Sequence, residues 1–180
     1  MALLDVLFEG YGTDAGVAGT VSLLRDGGVT VIVDPGMVPS RAAILDPLAA
    51  LGVSPGEVTD IILSHHHPDH TMNIALFPEV RVHDHWAMYQ RDQWTPRPAE
   101  GVQLSPGIML WETPGHTPQD ITTLVETDDG VAALTHLWLW ESSPGSGLDA
   151  DPALVEEHRA RVLAVATRIV PGHGPGFRVP

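Results

Sequence analysis

The chain contains no cysteine. That rules out a disulfide framework and a thiolate-bound metal, so any metal centre must be built from histidine and carboxylate. Basic residues are scarce: nine Lys plus Arg face 23 Asp plus Glu, a formal charge of −14 with every histidine neutral. A surface of that sign repels phosphate backbones and anionic membranes at long range, which argues against a nucleic-acid partner. Two bound divalent ions would move the charge by only about +4. No run approaches the ~18 apolar residues of a membrane span, and the N-terminal segment lacks the basic start and apolar centre of an export signal. The expectation is a soluble, cytoplasmic protein with no membrane partner. Its oligomeric state is open, a homodimer included.

At 180 residues, with 43% hydrophobic and 18% charged residues, the chain suits one ordered domain spanning 1–180, without room for large inserted lids. Its organising stretch is Ser64-His65-His66-His67-Pro68-Asp69-His70, directly after the apolar run Ile61-Ile62-Leu63, which reads as a short buried strand. His65 and His67, two apart, share a side if the extended backbone persists. Pro68 then opens a helix or turn and re-aims Asp69 and His70. The segment can therefore serve two metal centres.

His65-x-His67-x-Asp69-His70 resembles the H-x-H-x-D-H signature of the metallo-β-lactamase fold superfamily. Three further pieces stand in that family's order: Asp34 in Val-Asp-Pro-Gly, His116 in Thr-Pro-Gly-His-Thr, and His173 in Val-Pro-Gly-His-Gly. The His-His-His-Pro-Asp-His spelling and compact length are most similar to the small proteins grouped with metallo-β-lactamase domain-containing protein 1. The resemblance implies an α/β fold, the four-layer αββα sandwich, and an Asp34 that braces a ligand histidine without touching the metal. It also implies a first metal site of His65, His67 and His116 and a second of Asp69, His70 and His173, together holding one or two ions of zinc or iron. One departure stands out. Where the family places an aspartate bridging both metals, this chain has His136, expected to ligate the second ion.

The surrounding pattern reads as strands at 3–10, 20–25, 29–33, 60–63, 80–82, 108–112, 121–127, 131–140 and 168–170. A helix from Ser40 should bury Ile44, Leu48 and Leu51 and kink at Pro47, and another should run from Pro152 to about Thr167. Residues 11–18 read as a rim loop, and 86–94 as an aromatic pocket wall or core layer. His83 and His85 are expected to be structural or at the rim, and His158 on a solvated helix face.

The chemistry implied is hydrolysis of a small-molecule ester, thioester or lactone by metal-bound hydroxide, with Asp69 as the catalytic base. An RNA phosphodiester hydrolase of the same fold is the alternative, set back by the charge. A metal-binding or redox module without hydrolysis is a third, opened by His136.

Overall fold

The computed structural model describes residues 1–143 and 151–180. The chain runs β1 (Leu3–Phe8), β2 (Tyr11–Thr13), β3 (Gly16–Ala18), β4 (Val21–Asp26), β5 (Val29–Val33), α1 (Ala42–Ala50), β6 (Asp60–Ile62), α2 (Pro68–Thr71) and β7 (Arg81–His83). It continues through β8 (Ala87–Gln90), β9 (Gln93–Pro96), β10 (Gln103–Ser105), β11 (Ile108–Glu112), β12 (Ile121–Thr127), β13 (Gly130–Thr135), α3 (Pro152–Leu163), β14 (Arg168–Pro171) and β15 (Phe177–Arg178).

Alternation along the strands makes two faces per sheet, and the faces meet in one sandwich. Val31 and Val33 of β5 point inward with Leu24 and Ile62, against Ile108, Leu110, Val125, Ala132 and Leu134 of the other sheet. Ile32, between the two valines, points outward with Leu23 and Ile61 and buries Ile44 and Leu48 of α1. On the far side, Leu124, Ala133 and Ile169 pack against Val155 and Val162 of α3. The layers are therefore αββα, as the resemblance implied. The first sheet has the order β1-β4-β5-β6-β7-β8-β9, the second β10-β11-β12-β13-β14-β15. Parallel pairing joins β5 to β6, β6 to β7 and β13 to β14. The C-terminal ends of these parallel strands gather at one end of the sandwich, the place where open α/β sheets bind ligands.

Several local expectations are corrected. Residues 11–18 form the β2–β3 hairpin rather than a loop; its strands are mostly exposed and bury no face that would leave a hydrophobic period. Residues 86–94 lead into and form the β8–β9 hairpin. Trp86 lies beside His66 with ring centroids 5.3 Å apart, whereas Trp94 meets Tyr89 edge to face. Strand β13 stops at Thr135, not at residue 140. Beyond it, the carbonyls of Trp138 and Leu139 accept hydrogen bonds from the amides of Gly172 and His173, so this segment pairs with the loop after β14 instead of with β12. Helix α1 continues through Pro47 to Ala50, and Leu51 caps it at the surface rather than in the core. Helix α3 ends at Leu163, and His158 is half-buried on it.

Candidate metal centre

The turn after β5 begins the site. Asp34 adopts a left-handed backbone (φ 53°), a conformation Asp tolerates better than most residues. This aims its carboxylate across to β6, where Oδ1 accepts the Ser64 amide (2.7 Å) and Oδ2 accepts both the Ser64 hydroxyl (2.6 Å) and His70 Nδ1 (2.9 Å). With its proton committed to Asp34, Ser64 Oγ accepts from His65 Nδ1 at 3.0 Å. One buried carboxylate thereby sets the ring orientation of two histidines, leaving the Nε2 atoms of both facing inward.

His65 Nε2 lies 2.9 Å from His67 Nδ1, which lies 3.3 Å from His116 Nε2. The first expected set is thus brought together, with His67 on its solvent side. His116 is delivered by a turn after β11 in which Asp120, buried, accepts the Thr117 amide (2.7 Å) and hydroxyl (2.6 Å).

The second set converges as well. Asp69 Oδ2 is 3.4 Å from His70 Nε2 and 3.5 Å from His173 Nε2, and His173 Nδ1 donates to the Ala18 carbonyl at 2.8 Å. His136 is buried between the two sets: its Nε2 is 3.2 Å from His173 Nε2, and its ring stacks on His116 with centroids 4.2 Å apart. Nitrogens of His65, His116 and His136 all lie within 4.8 Å of one another, and so do those of His70, His136 and His173. His136 therefore belongs geometrically to both groups, whereas the sequence reading attached it to the second alone.

A metal fits this donor set. His136 Nδ1 is buried without a hydrogen-bond partner and His70 Nε2 has only the ionic contact with Asp69 at 3.4 Å, a costly condition for polar atoms that an ion taking their lone pairs would relieve. Burial, reinforced by the surrounding imidazoles, holds His65 and His136 well below the ordinary histidine range, and burial also lowers His173. These rings are neutral at pH 7, the form that binds metals. His70 differs. Burial opposes its charge, but Asp34 and Asp69 outweigh that and raise it to about 9. Burial likewise opposes ionisation of Asp69, yet the adjacent His70 draws it down to about 2.

His70 gives the metal-free protein a pH signature. A histidine raised above its unfolded value of about 6.5 stabilises fully below that value and loses the contribution as pH climbs through about 9. The lowered histidines act oppositely, withdrawing stability only below about pH 6.5. Urea unfolding of chelator-treated protein is therefore expected to show a midpoint that falls across the alkaline window. Metal-loaded protein should not show that fall, because the ion displaces the His70 proton.

The strand ends approach closely here. A Cβ on Gly36 would collide with the carbonyl of Asp69, which accepts hydrogen bonds from the amides of Gly19 and Met37. Gly36→Ala is expected to destabilise by about 1–3 kcal/mol in urea unfolding and to weaken metal retention. Gly28→Ala, with nothing within 4 Å of the new Cβ, is the control that should change neither.

Sequence reasoning assigned no part to Ser64 or Asp120. The Thr-Pro-Gln-Asp run directly after His116 was a usable signal for Asp120, since Asp side chains commonly close such turns. His83 is not a ligand: it bonds Asp60 (2.8 Å) and Arg97 (3.1 Å) within the sheet. A concavity of about 450 Å³ at the opposite ends of β13 and β14 contains none of the site histidines.

The sequence pattern of the metallo-beta-lactamase superfamily matches residues 15–175. Metallo-beta-lactamase domain-containing protein 1 of Xenopus laevis is 35% identical over 98% of this chain and 81% of its own length. The Homo sapiens protein of the same name is 37% identical over 83% of this chain, which spans 59% of that relative's length. Among solved structures, a Thermotoga maritima metallo-beta-lactamase-like protein superposes with TM-score 0.78 at 19% identity, covering 98% of this chain and 99% of the other. A second, solved in a di-iron-bound form, gives TM-score 0.67 at 24% identity, covering 89% and 90%.

Proposed function

The chain belongs to the metallo-beta-lactamase superfamily, and we propose that it is a metal-dependent hydrolase of a small-molecule ester, thioester or lactone. The observation that supports this reading is the convergence of six imidazoles and one carboxylate on a single strand-end site, with two buried ring nitrogens unsatisfied. His65, His67 and His116 would hold one ion, and Asp69, His70, His173 and His136 a second. Zinc suits the three-imidazole set, while a set that adds a carboxylate to its histidines accommodates iron, the metal named for one structural neighbour.

A divalent ion in such a set acidifies water and polarises the oxygen of the bond to be broken. The chain's own residues do the rest. Asp34, through Ser64 and His70, and the Ala18 carbonyl, through His173, keep the ring nitrogens aimed at one point. Asp69 is ionised at neutral pH and accepts the proton of the attacking water at its carboxylate. The negative formal charge of −14 favours a small neutral substrate over an RNA backbone. Among the described residues no helix is long and apolar enough to cross a membrane.

Metal analysis of protein purified without added metal tests the proposal. Zinc or iron at one to two ions per chain is the expected result; protein that remains free of both after incubation with them would refute it. Salt dependence separates the substrate classes. Turnover of a neutral ester should respond little to salt, whereas tight RNA binding that weakens steeply with salt would reverse the ranking.

A further inference from the structure

Arg159 on α3 is buried, although Glu156 and Glu157 before it and Ala160 after it are exposed. Its guanidinium donates through Nε to the carbonyl of Leu137 (2.9 Å), through Nη2 to the carbonyl of Ser143 (3.2 Å) and through Nη1 to Glu156 (2.9 Å). The same group lies over the ring of Trp138, 5.0 Å from its centroid. All of these partners except Glu156 lie on the segment that follows β13, which starts at His136. Trp138 and Leu139 of that segment accept the amides of Gly172 and His173. One planar cation thus grips the backbone immediately after one imidazole of the second group and, one hydrogen bond further on, the backbone of another.

We infer that Arg159 is a positioning residue for the second metal group. By holding the 137–143 segment it sets where His136 and His173 stand, whereas of the first group only the shared His136 depends on that segment, His65 being oriented through Ser64 and Asp34 and His116 delivered by the Asp120 turn. This rests on the metal-centre reading above and adds a selectivity to it: loss of Arg159 should loosen the second ion, which has both His136 and His173, more than the first, which shares only His136. A lysine cannot replace it, because a single ammonium cannot reach two carbonyls and stack on a ring in a fixed fork.

The test compares Arg159→Lys, Arg159→Ala and Arg161→Ala with the unaltered protein. Arg161, two positions along, pairs with Glu100 and covers Trp111, so its loss costs packing at a distance from the site. Competitive titration with zinc and a chelator should show the weaker-held ion of the Arg159 variants released at about 10–100-fold lower chelator strength, the usual scale for groups that orient metal ligands. The tighter ion should shift markedly less, and both ions in Arg161→Ala should be unaffected. Added methylguanidinium should restore the second ion in Arg159→Ala.

Amide exchange on metal-free protein provides a readout that needs no ion. In Arg159→Lys, Gly172 and His173 should exchange at least about tenfold faster, while Ile61 and Leu63 keep their protection. Equal loss of both ions, or unchanged exchange at Gly172 and His173, would overturn the inference. Failure of the unaltered protein to bind metal would instead count against the metal-centre reading, and the exchange result would still decide the role of Arg159.

Discussion

Replacing Asp69 by Asn is expected to lower hydrolysis by roughly 10²–10⁴-fold, the range for loss of a general base. The amide keeps the shape of the side chain but removes the negative charge that faces His70 and His173 at 3.4 and 3.5 Å. Two losses follow from that one change. The second ion is held less tightly, and nothing remains to accept the proton of water. His65, His67 and His116 meet through their own ring nitrogens, at 2.9 and 3.3 Å, so about one ion per chain should stay bound. Rates measured at saturating metal separate the two losses. Near-normal turnover of metal-loaded Asp69→Asn would remove Asp69 from the catalytic role.

The second large effect belongs to His136. Its ring is buried, stacks on His116 and approaches His173 to 3.2 Å, so it stands between the two groups. A neutral imidazole offers one lone pair, whereas a carboxylate offers an anion with two oxygens. His136→Ala is therefore expected to reduce metal content from two ions toward one with the fold retained, seen as unchanged far-ultraviolet dichroism. His136→Asp should bind the second ion at least about tenfold more tightly than the natural protein, equivalent to about 1.4 kcal/mol. Unchanged stoichiometry in His136→Ala, or loss of the first ion instead, would show that this ring is not a second-site ligand.

The layered fold and the site histidines were legible because both depend on short-range signals. The β-branched run from Val29 to Val33 reports a strand, and the spacing of His65, His67, Asp69 and His70 reports a ligand turn behind the buried run that ends at Leu63. What escaped depends on partners distant in sequence. The end of β13 at Thr135 is set by the amides of Gly172 and His173, which draw the next segment away from β12. Ser64 matters because Asp34, thirty positions earlier, bonds both its amide and its hydroxyl. Arg159 reads as one more charge on an exposed helix until Leu137 and Ser143 are seen against it. The β2–β3 and β8–β9 hairpins were missed for another reason: β2, β3 and β9 are exposed at most positions and β8 is largely half-buried, so they leave no hydrophobic period to find.

The most direct measurement of the central claim follows one preparation through metal removal and return. Hydrolysis of a panel of neutral esters, thioesters and lactones is assayed as purified, after exhaustive chelation, and after titration with zinc or ferrous iron. The account predicts turnover that disappears with the ion, returns in proportion to metal bound, and reaches its plateau by two ions per chain. Hydrolysis that survives complete metal removal, or metal uptake at the His65 and His70 groups with no turnover of any member of the panel, would contradict it.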